Sequence, residues 1–308
     1  MIELLKNINE NYGIFIDINK IRKLGATTIN DIFLINADDK KYIVKIYNVD
    51  EEKQIKNSLY TQKNIFESLK ITADVFLNKK NELYTRYNNK IYAIQEYIEE
   101  QKSTNKIDII EETSKNLYFL HQELKKLDKN LYKNKKEYSD SISIKENIEK
   151  TKNELKNNKT PQEVKSIFDK LLNKRKNLLE KYRCEYCPNE FQVIHRDVRL
   201  GNIIVNNNEI YFIDFDYVAY GDLLFEIGSA AMLVSDFVIG RTKDFVNVYN
   251  SYLKRKYKIE EIYQNLLAYY VQSDFPIKLI NKVDTDVLIG FIKNRIKCLD
   301  FCEKILYV

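Results

Sequence analysis

The period of the apolar positions changes along the chain, and each change marks a different kind of element. Residues 1–20 read as a helix running into an extended segment. Beyond Lys20 the β-formers Ile29, Phe33 and Ile35 predict a strand. The polar run from Asn36 to Lys40 predicts a turn, and residues 42–47 a second strand. Between residues 50 and 69 the spacing lengthens to three and four, so that Ile55, Leu59, Gln62, Phe66 and Leu69 share one helical face. Short strands are predicted around 73–77 and 82–86, and a longer one over 91–97. The order β-β-α-β-β predicts a mostly antiparallel N-terminal lobe.

From residue 107 the pattern is helical, with Ile109, Ile110, Thr113, Leu117, Leu120, His121 and Leu124 on one stripe. Two further helices follow. Ile144, Ile148, Thr151 and Leu155 mark the first, and Val164, Ile167, Phe168, Leu171, Leu172, Leu178 and Leu179 the second. The break between them holds Thr160 as a cap, Pro161 in the first turn and Glu163 completing a capping box, so an antiparallel helical hairpin is expected. Short strands at 191–194, 203–205 and 210–213 come next, the last two joined by three asparagines. Residues 222–308 return to helix. The sum is an α+β chain, a small β lobe over residues 1–98 and a larger helical lobe over 99–308 with a helical insertion at about 125–183.

Composition narrows the function classes. The chain has 308 residues and a net charge of +5, too mild and too dispersed to predict a nucleic-acid partner. The insertion is the exception: residues 125–183 carry 18 Lys and Arg against 9 Asp and Glu, which leaves the remainder at −4. A solvated face accounts for such a run. No apolar run is long enough to span a membrane. The first residues do not read as a signal peptide, and a cytoplasmic location is the expectation. Two histidines exclude a multi-histidine metal centre. Cys184, Cys187, Cys298 and Cys302 form two close pairs with spacing that admits zinc, though buried free thiols are the simpler reading.

The chemistry concentrates in Val193-Ile-His-Arg-Asp-Val-Arg-Leu-Gly-Asn-Ile-Ile-Val205 and Ile213-Asp-Phe-Asp216, polar clusters bracketed by apolar strands. Asp197, Asn202 and Asp214 offer two carboxylates and an amide. Such a hard-oxygen set suits Mg²⁺, and a carboxylate left off the metal can accept a proton from a hydroxyl.

His195-x-Asp197 with Asn202, followed by Ile213-Asp214-Phe215-Asp216, resembles the aminoglycoside phosphotransferase/choline kinase family. The resemblance implies a bilobal protein-kinase-like fold. It implies ATP and Mg²⁺, with Asp197 as catalytic base, Asn202 and Asp214 as metal ligands and His195 bracing the loop. Arg196 stands where that family usually has glycine. Lys45 falls on the strand whose lysine grips the nucleotide phosphates, about 20 residues after Gly25 in a loop that also offers Thr27 and Thr28. Its usual glutamate partner is replaced in the natural register by Gln62, with Glu67 a turn further on. The backbone of Glu96 and Ile98 would read adenine. Asp222 is expected to cap the next helix, and Asp216 to face metal or acceptor. The implied acceptor is a small molecule with a hydroxyl, and a cationic one suits Asp236, Asp244, Tyr249, Tyr252, Tyr269, Tyr270 and Asp274. Two alternatives remain open. A protein kinase is favoured by His195-Arg196-Asp197 and opposed by Asp216 and by the lack of an Ala-Pro-Glu segment. A nucleotide-binding scaffold is favoured by Gln62 and the glycine-poor loop.

Overall fold

The computed structural model describes residues 2–16, 21–26, 30–37, 40–47, 52–101, 108–132, 141–157, 160–182, 190–273, 279–280 and 283–307. Helix α1 (Ile2–Tyr12) leads into β1 (Ile21–Ala26), β2 (Asn30–Ala37), β3 (Lys40–Tyr47), α2 (Glu52–Leu69), β4 (Thr85–Tyr87) and β5 (Lys90–Glu96). Then come α3 (Ile109–Leu124), α4 (Ser141–Asn157), α5 (Gln162–Tyr182), β6 (Phe191–Ile194), β7 (Ile203–Asn206), β8 (Glu209–Phe212) and β9 (Ala219–Asp222). Helices α6 (Leu223–Val234), α7 (Ile239–Ser251), α8 (Ile259–Gln272) and α9 (Thr285–Ile305) complete the order. The fold is the expected bilobal α+β type, a small antiparallel β N-lobe and a larger helical C-lobe. By packing the chain divides into two units, Met1–Asn134 with Gln192–Tyr220, and Lys135–Phe191 with Gly221–Val308. The first unit thus takes in α3 and the 192–220 segment besides the sheet.

In the first unit five strands pair antiparallel in the order β1-β2-β3-β5-β4. Alternation gives the sheet two apolar faces. Val44, Ile46, Tyr92 and Ile94 pack with Leu4, Leu5 and Ile8 of α1, while Tyr47, Ile91 and Ala93 pack with Ile55 and Leu59 of α2. Lys45 is one residue from both Val44 and Ile46, so the pleat sends it to the α2 side. There is no strand at 73–77; Thr72 and Val75 make only single bridges. The reason lies in the next turn, where Asn78 accepts from Lys80 N–H and Glu82 N–H and donates to Tyr84 O, which bends the chain before a ladder can form. The asparagine turn between β7 and β8 behaves as predicted: Asn207 and Asn208 take φ of 50° and 64°, the left-handed pair a tight hairpin requires.

In the second unit the predicted hairpin is present as α4 and α5, with Ile144, Ile148, Thr151, Leu155, Val164, Phe168, Leu171 and Leu172 buried. Among the described residues Thr160 Oγ1 is buried without a hydrogen-bond partner, so the expected cap is not made. Asp222 does cap α6, accepting from Leu224 N–H at 3.0 Å. Helices α6 and α8 meet closely at Gly228, where a Cβ would lie 2.8 Å from Ile262 Cγ2.

The basic face of the insertion is only partly solvated. Lys174 and Lys181 pair with Glu303 of α9 at 3.1 and 2.8 Å. Arg175 is fully buried, donating from Nε to Val271 O at 2.8 Å and from Nη2 to Gln272 O at 3.5 Å. Those carbonyls end α8, where the helix dipole favours a cation. Arg175→Met keeps most of the apolar stem but strands both carbonyls. It is expected to cost about 2–3 kcal/mol in a denaturant unfolding experiment, whereas Lys176→Met on the same helix should cost less than about 0.5 kcal/mol.

Candidate active site

After β6 the chain turns through His195, Arg196 and Asp197. Arg196 has φ 72°, a left-handed conformation that glycine enters freely and other residues enter at about 1–2 kcal/mol. That is the physical reason a glycine suits this position. His195 is fully buried and stacks on Phe215 with ring centroids 4.4 Å apart. Its Nε2 lies 3.2 Å from Ile213 O, and its Nδ1 accepts from Asp197 N–H at 3.3 Å. A ring protonated at Nε2 serves both contacts. Asn202 turns its amide nitrogen to Asp197, 2.9 Å from the backbone oxygen and 2.6 Å from Oδ2. The Asn202 backbone oxygen accepts from Ile213 N–H at 3.0 Å. One histidine and one asparagine therefore lash the Asp197 loop to the residue before Asp214.

Asp214 occupies φ 67°, ψ 65°, strained for a residue with a Cβ. The turn aims two carboxylates at one cation. Lys45 Nζ lies 2.8 Å from Asp214 and 2.7 Å from Asp216. Burial pushes the Asp214 carboxyl up, but the Lys45 ammonium outweighs it and holds the group below the ordinary range. Asp216 is more deeply enclosed. Burial raises it, Lys45 pulls it back, the Asp214 charge pushes it up again, and the net lies above the ordinary value. Lys45 itself loses basicity to burial but gains more from the two carboxylates.

The residues at the position where a kinase lysine finds its glutamate are engaged elsewhere or exposed. Gln62 is buried and donates to Ala73 O at 2.9 Å, while Glu67 is exposed. Three contacts were not legible in the sequence. Asn30 donates to Asp216 Oδ2 at 2.6 Å, Gln54 donates to Asp216 O at 3.1 Å and Val218 O at 2.8 Å, and Arg199 Nε lies 3.1 and 3.2 Å from the Asp197 oxygens. Gln54 is eight residues before Gln62, about two turns along α2 and about 80° around it, so the helical spacing did not single it out.

On the nucleotide side, Gly25 lies in β1 at a register shift between Lys23 and Ala26. Thr27 and Thr28 lie outside the described residues. Glu96 ends β5, its N–H donating to Asp74 O at 2.9 Å, and Ile98 is buried just beyond. Of the acceptor candidates, Tyr249 and Tyr270 are core residues, Asp236 and Tyr252 are exposed, and Asp274 lies outside the described residues. Cys298 and Cys302 are buried free thiols, with burial pushing both up. Cys184 and Cys187 lie outside the described residues. Among the described residues no three His, Cys, Asp or Glu side chains group as metal ligands. The hard donors are instead Asn202 Oδ1, left as an acceptor by the turn of its nitrogen to Asp197, and the Asp214 and Asp216 carboxylates. That set fits Mg²⁺ sharing its shell with phosphate and water, not a cage of protein ligands alone.

The sequence matches the profile of the phosphotransferase enzyme family over residues 20–259. The chain belongs to that family. No curated protein matches it. Solved structures share the fold of this phosphotransferase at low identity. Spectinomycin phosphotransferase in complex with ADP and spectinomycin is 13% identical with a TM-score of 0.64, over 98% of this chain and 93% of that one. A microcompartment-associated aminopropanol kinase is 13% identical with a TM-score of 0.65, over 100% and 98%. Choline kinase from Cryptosporidium parvum is 14% identical with a TM-score of 0.62, over 99% and 96%.

Removing the cation between the two carboxylates of this phosphotransferase leaves like charges facing each other. Lys45→Met is expected to destabilise the chain by about 3–5 kcal/mol in denaturant unfolding, and adding Asp216→Asn to return part of that loss. Additive effects of the two substitutions would show that the contact carries no energy.

Proposed function

We propose that this phosphotransferase moves the γ-phosphate of ATP to a hydroxyl group of a small molecule. The observation that carries the reading is the convergence of Lys45 on Asp214 and Asp216, with Asn202 hydrogen-bonded both to Ile213, the residue before Asp214, and to Asp197.

In this reading Asp197 accepts, or at least orients, the acceptor's hydroxyl proton. Its carboxylate is held in place by Asn202 and its backbone by His195, so the base is pre-set before the acceptor arrives. Lys45 holds the α- and β-phosphates. The Gly25, Thr27 and Thr28 loop adds backbone and hydroxyl contacts, and Glu96 C=O and Ile98 N–H read the adenine edge. Asn202 and Asp214 hold Mg²⁺, with Asp216 beside them. Bound Mg²⁺ neutralises charge across the transferring phosphates. Because phosphoryl transfer passes through a loose transition state, alignment and charge neutralisation supply most of the rate.

The relatives' names support one acceptor class. Spectinomycin, aminopropanol and choline each combine a hydroxyl with a cationic or amino nitrogen. We assign this enzyme a hydroxylated amine as acceptor, and the cytoplasm, which holds ATP, as its place of work. The protein-kinase alternative is weakened at Asp216, which is bound to Lys45 and Asn30 here where protein kinases carry glycine.

Asp197→Ala is expected to lower turnover about 10²–10⁴-fold while Mg·ATP affinity by calorimetry stays within about twofold. Unchanged turnover would remove Asp197 as the base, and a wild type that binds nucleotide without product would favour the scaffold reading. An ATP-consumption assay across amino-sugars, amino alcohols and neutral sugars tests the acceptor class. Stimulation by the amines is expected, and stimulation by neutral sugars alone would overturn it.

A further inference from the structure

Helix α2 reaches the Asp214–Val218 turn through an amide, not through a charge. Gln54 Nε2 lies 2.8 Å from Val218 O and 3.1 Å from Asp216 O, so one –NH₂ group serves two converging backbone carbonyls. Further along the same helix, Asn57 donates to Leu131 O and Thr61 Oγ1 meets the Tyr132 hydroxyl at 2.8 Å. Gln62 closes the series on Ala73 O. These four side chains are spent on neutral partners, and Lys45 pairs with Asp214 and Asp216.

We propose that Gln54 is a positioning residue for phosphoryl transfer: it pins the Asp216–Val218 backbone to α2 so that both carboxylates meet Lys45, and it can do so because it donates hydrogen bonds without bringing a negative charge. Its effect on turnover rests on the phosphotransfer reading above; the tether itself does not. A glutamate at this position would face two carbonyl oxygens with no proton to give them. It would also bring a third negative charge beside two carboxylates that already share one ammonium, at 2.8 and 2.7 Å. The glutamate expected opposite a kinase lysine would therefore be harmful here.

Three variants of the full chain test this, Gln54→Met, Gln54→Glu and Gln54→Lys, each read by hydrogen exchange without ligand and by steady-state kinetics. In Gln54→Met, amide exchange over residues 213–220 is expected to rise about tenfold, with β3 unchanged. Its kcat should fall about five- to tenfold while acceptor KM stays within about twofold. Gln54→Glu should lose at least as much kcat, and Gln54→Lys, which restores a donor, should keep the slow exchange. The proposal is overturned if Gln54→Glu equals or exceeds the wild type, since its carboxylate would then have found Lys45. It is equally overturned by unchanged exchange in Gln54→Met, or by fast exchange in Gln54→Lys as well. Should the wild type transfer no phosphate to any acceptor, the phosphotransfer reading fails and the exchange data still decide the tether.

Discussion

A buried ammonium shared by two carboxylates is the contact on which the site depends. Enclosing three ionised groups costs several kcal/mol each before any attraction is counted. Asp214 and Asp216 also repel one another. The arrangement holds only because Lys45 is fixed mid-strand, with Val44 opposite Phe33 and Lys45 opposite Ile32 and Ala93, so its head cannot drift along the sheet. The strained backbone of Asp214 belongs to the same bargain: a left-handed residue turns its carboxylate back toward the strand. Two carboxylates that would repel one another are thereby kept together by the protein's own cation.

The charged residues of α2 are engaged away from that contact: Glu52 pairs with Arg86, and Lys63 with Asp74. A carboxylate on the face turned to the Asp214–Val218 backbone would compete for Lys45 and loosen one of the aspartates. Gln54, Asn57, Thr61 and Gln62 are all directed at neutral partners, mostly backbone carbonyls. Amide and hydroxyl contacts are individually worth only about 1 kcal/mol, but they do not respond to the charge of a bound nucleotide. The helix position and the ion cluster are thus decoupled in their electrostatics while remaining joined through Gln54.

What the sequence disclosed, and what it withheld, divides by range. The Asp197 loop, Asn202, the asparagine hairpin and the Asp222 cap are built within a few residues, and their local spacing carries them. Lys45 was singled out by the family resemblance, on a strand that local alternation predicts. Its partners were not legible: Lys45 and Asp214 are 169 positions apart, Gln54 and Asp216 162, Asn30 and Asp216 186, and Arg175 and Val271 96. Periodicity named one face of α2, with Gln62 at the position a glutamate usually fills, but it could not show that the partners of Lys45 come from Asp214 and Asp216. Charge counting failed at Arg175 for a related reason. A basic run reads as a solvated face until a helix C-terminus with open carbonyls is brought against it.

The insertion has contacts of its own at both ends. Near its start Leu131 and Tyr132 are bonded to α2, the latter buried against Thr61. Further along, Arg175, Lys174 and Lys181 are spent on α8 and α9. A change at Tyr132 reaches Thr61, then the α2 backbone, then Gln54 and the turn that carries both carboxylates. Sensitivity of the site to its surroundings should follow that path of contacts and not distance along the chain.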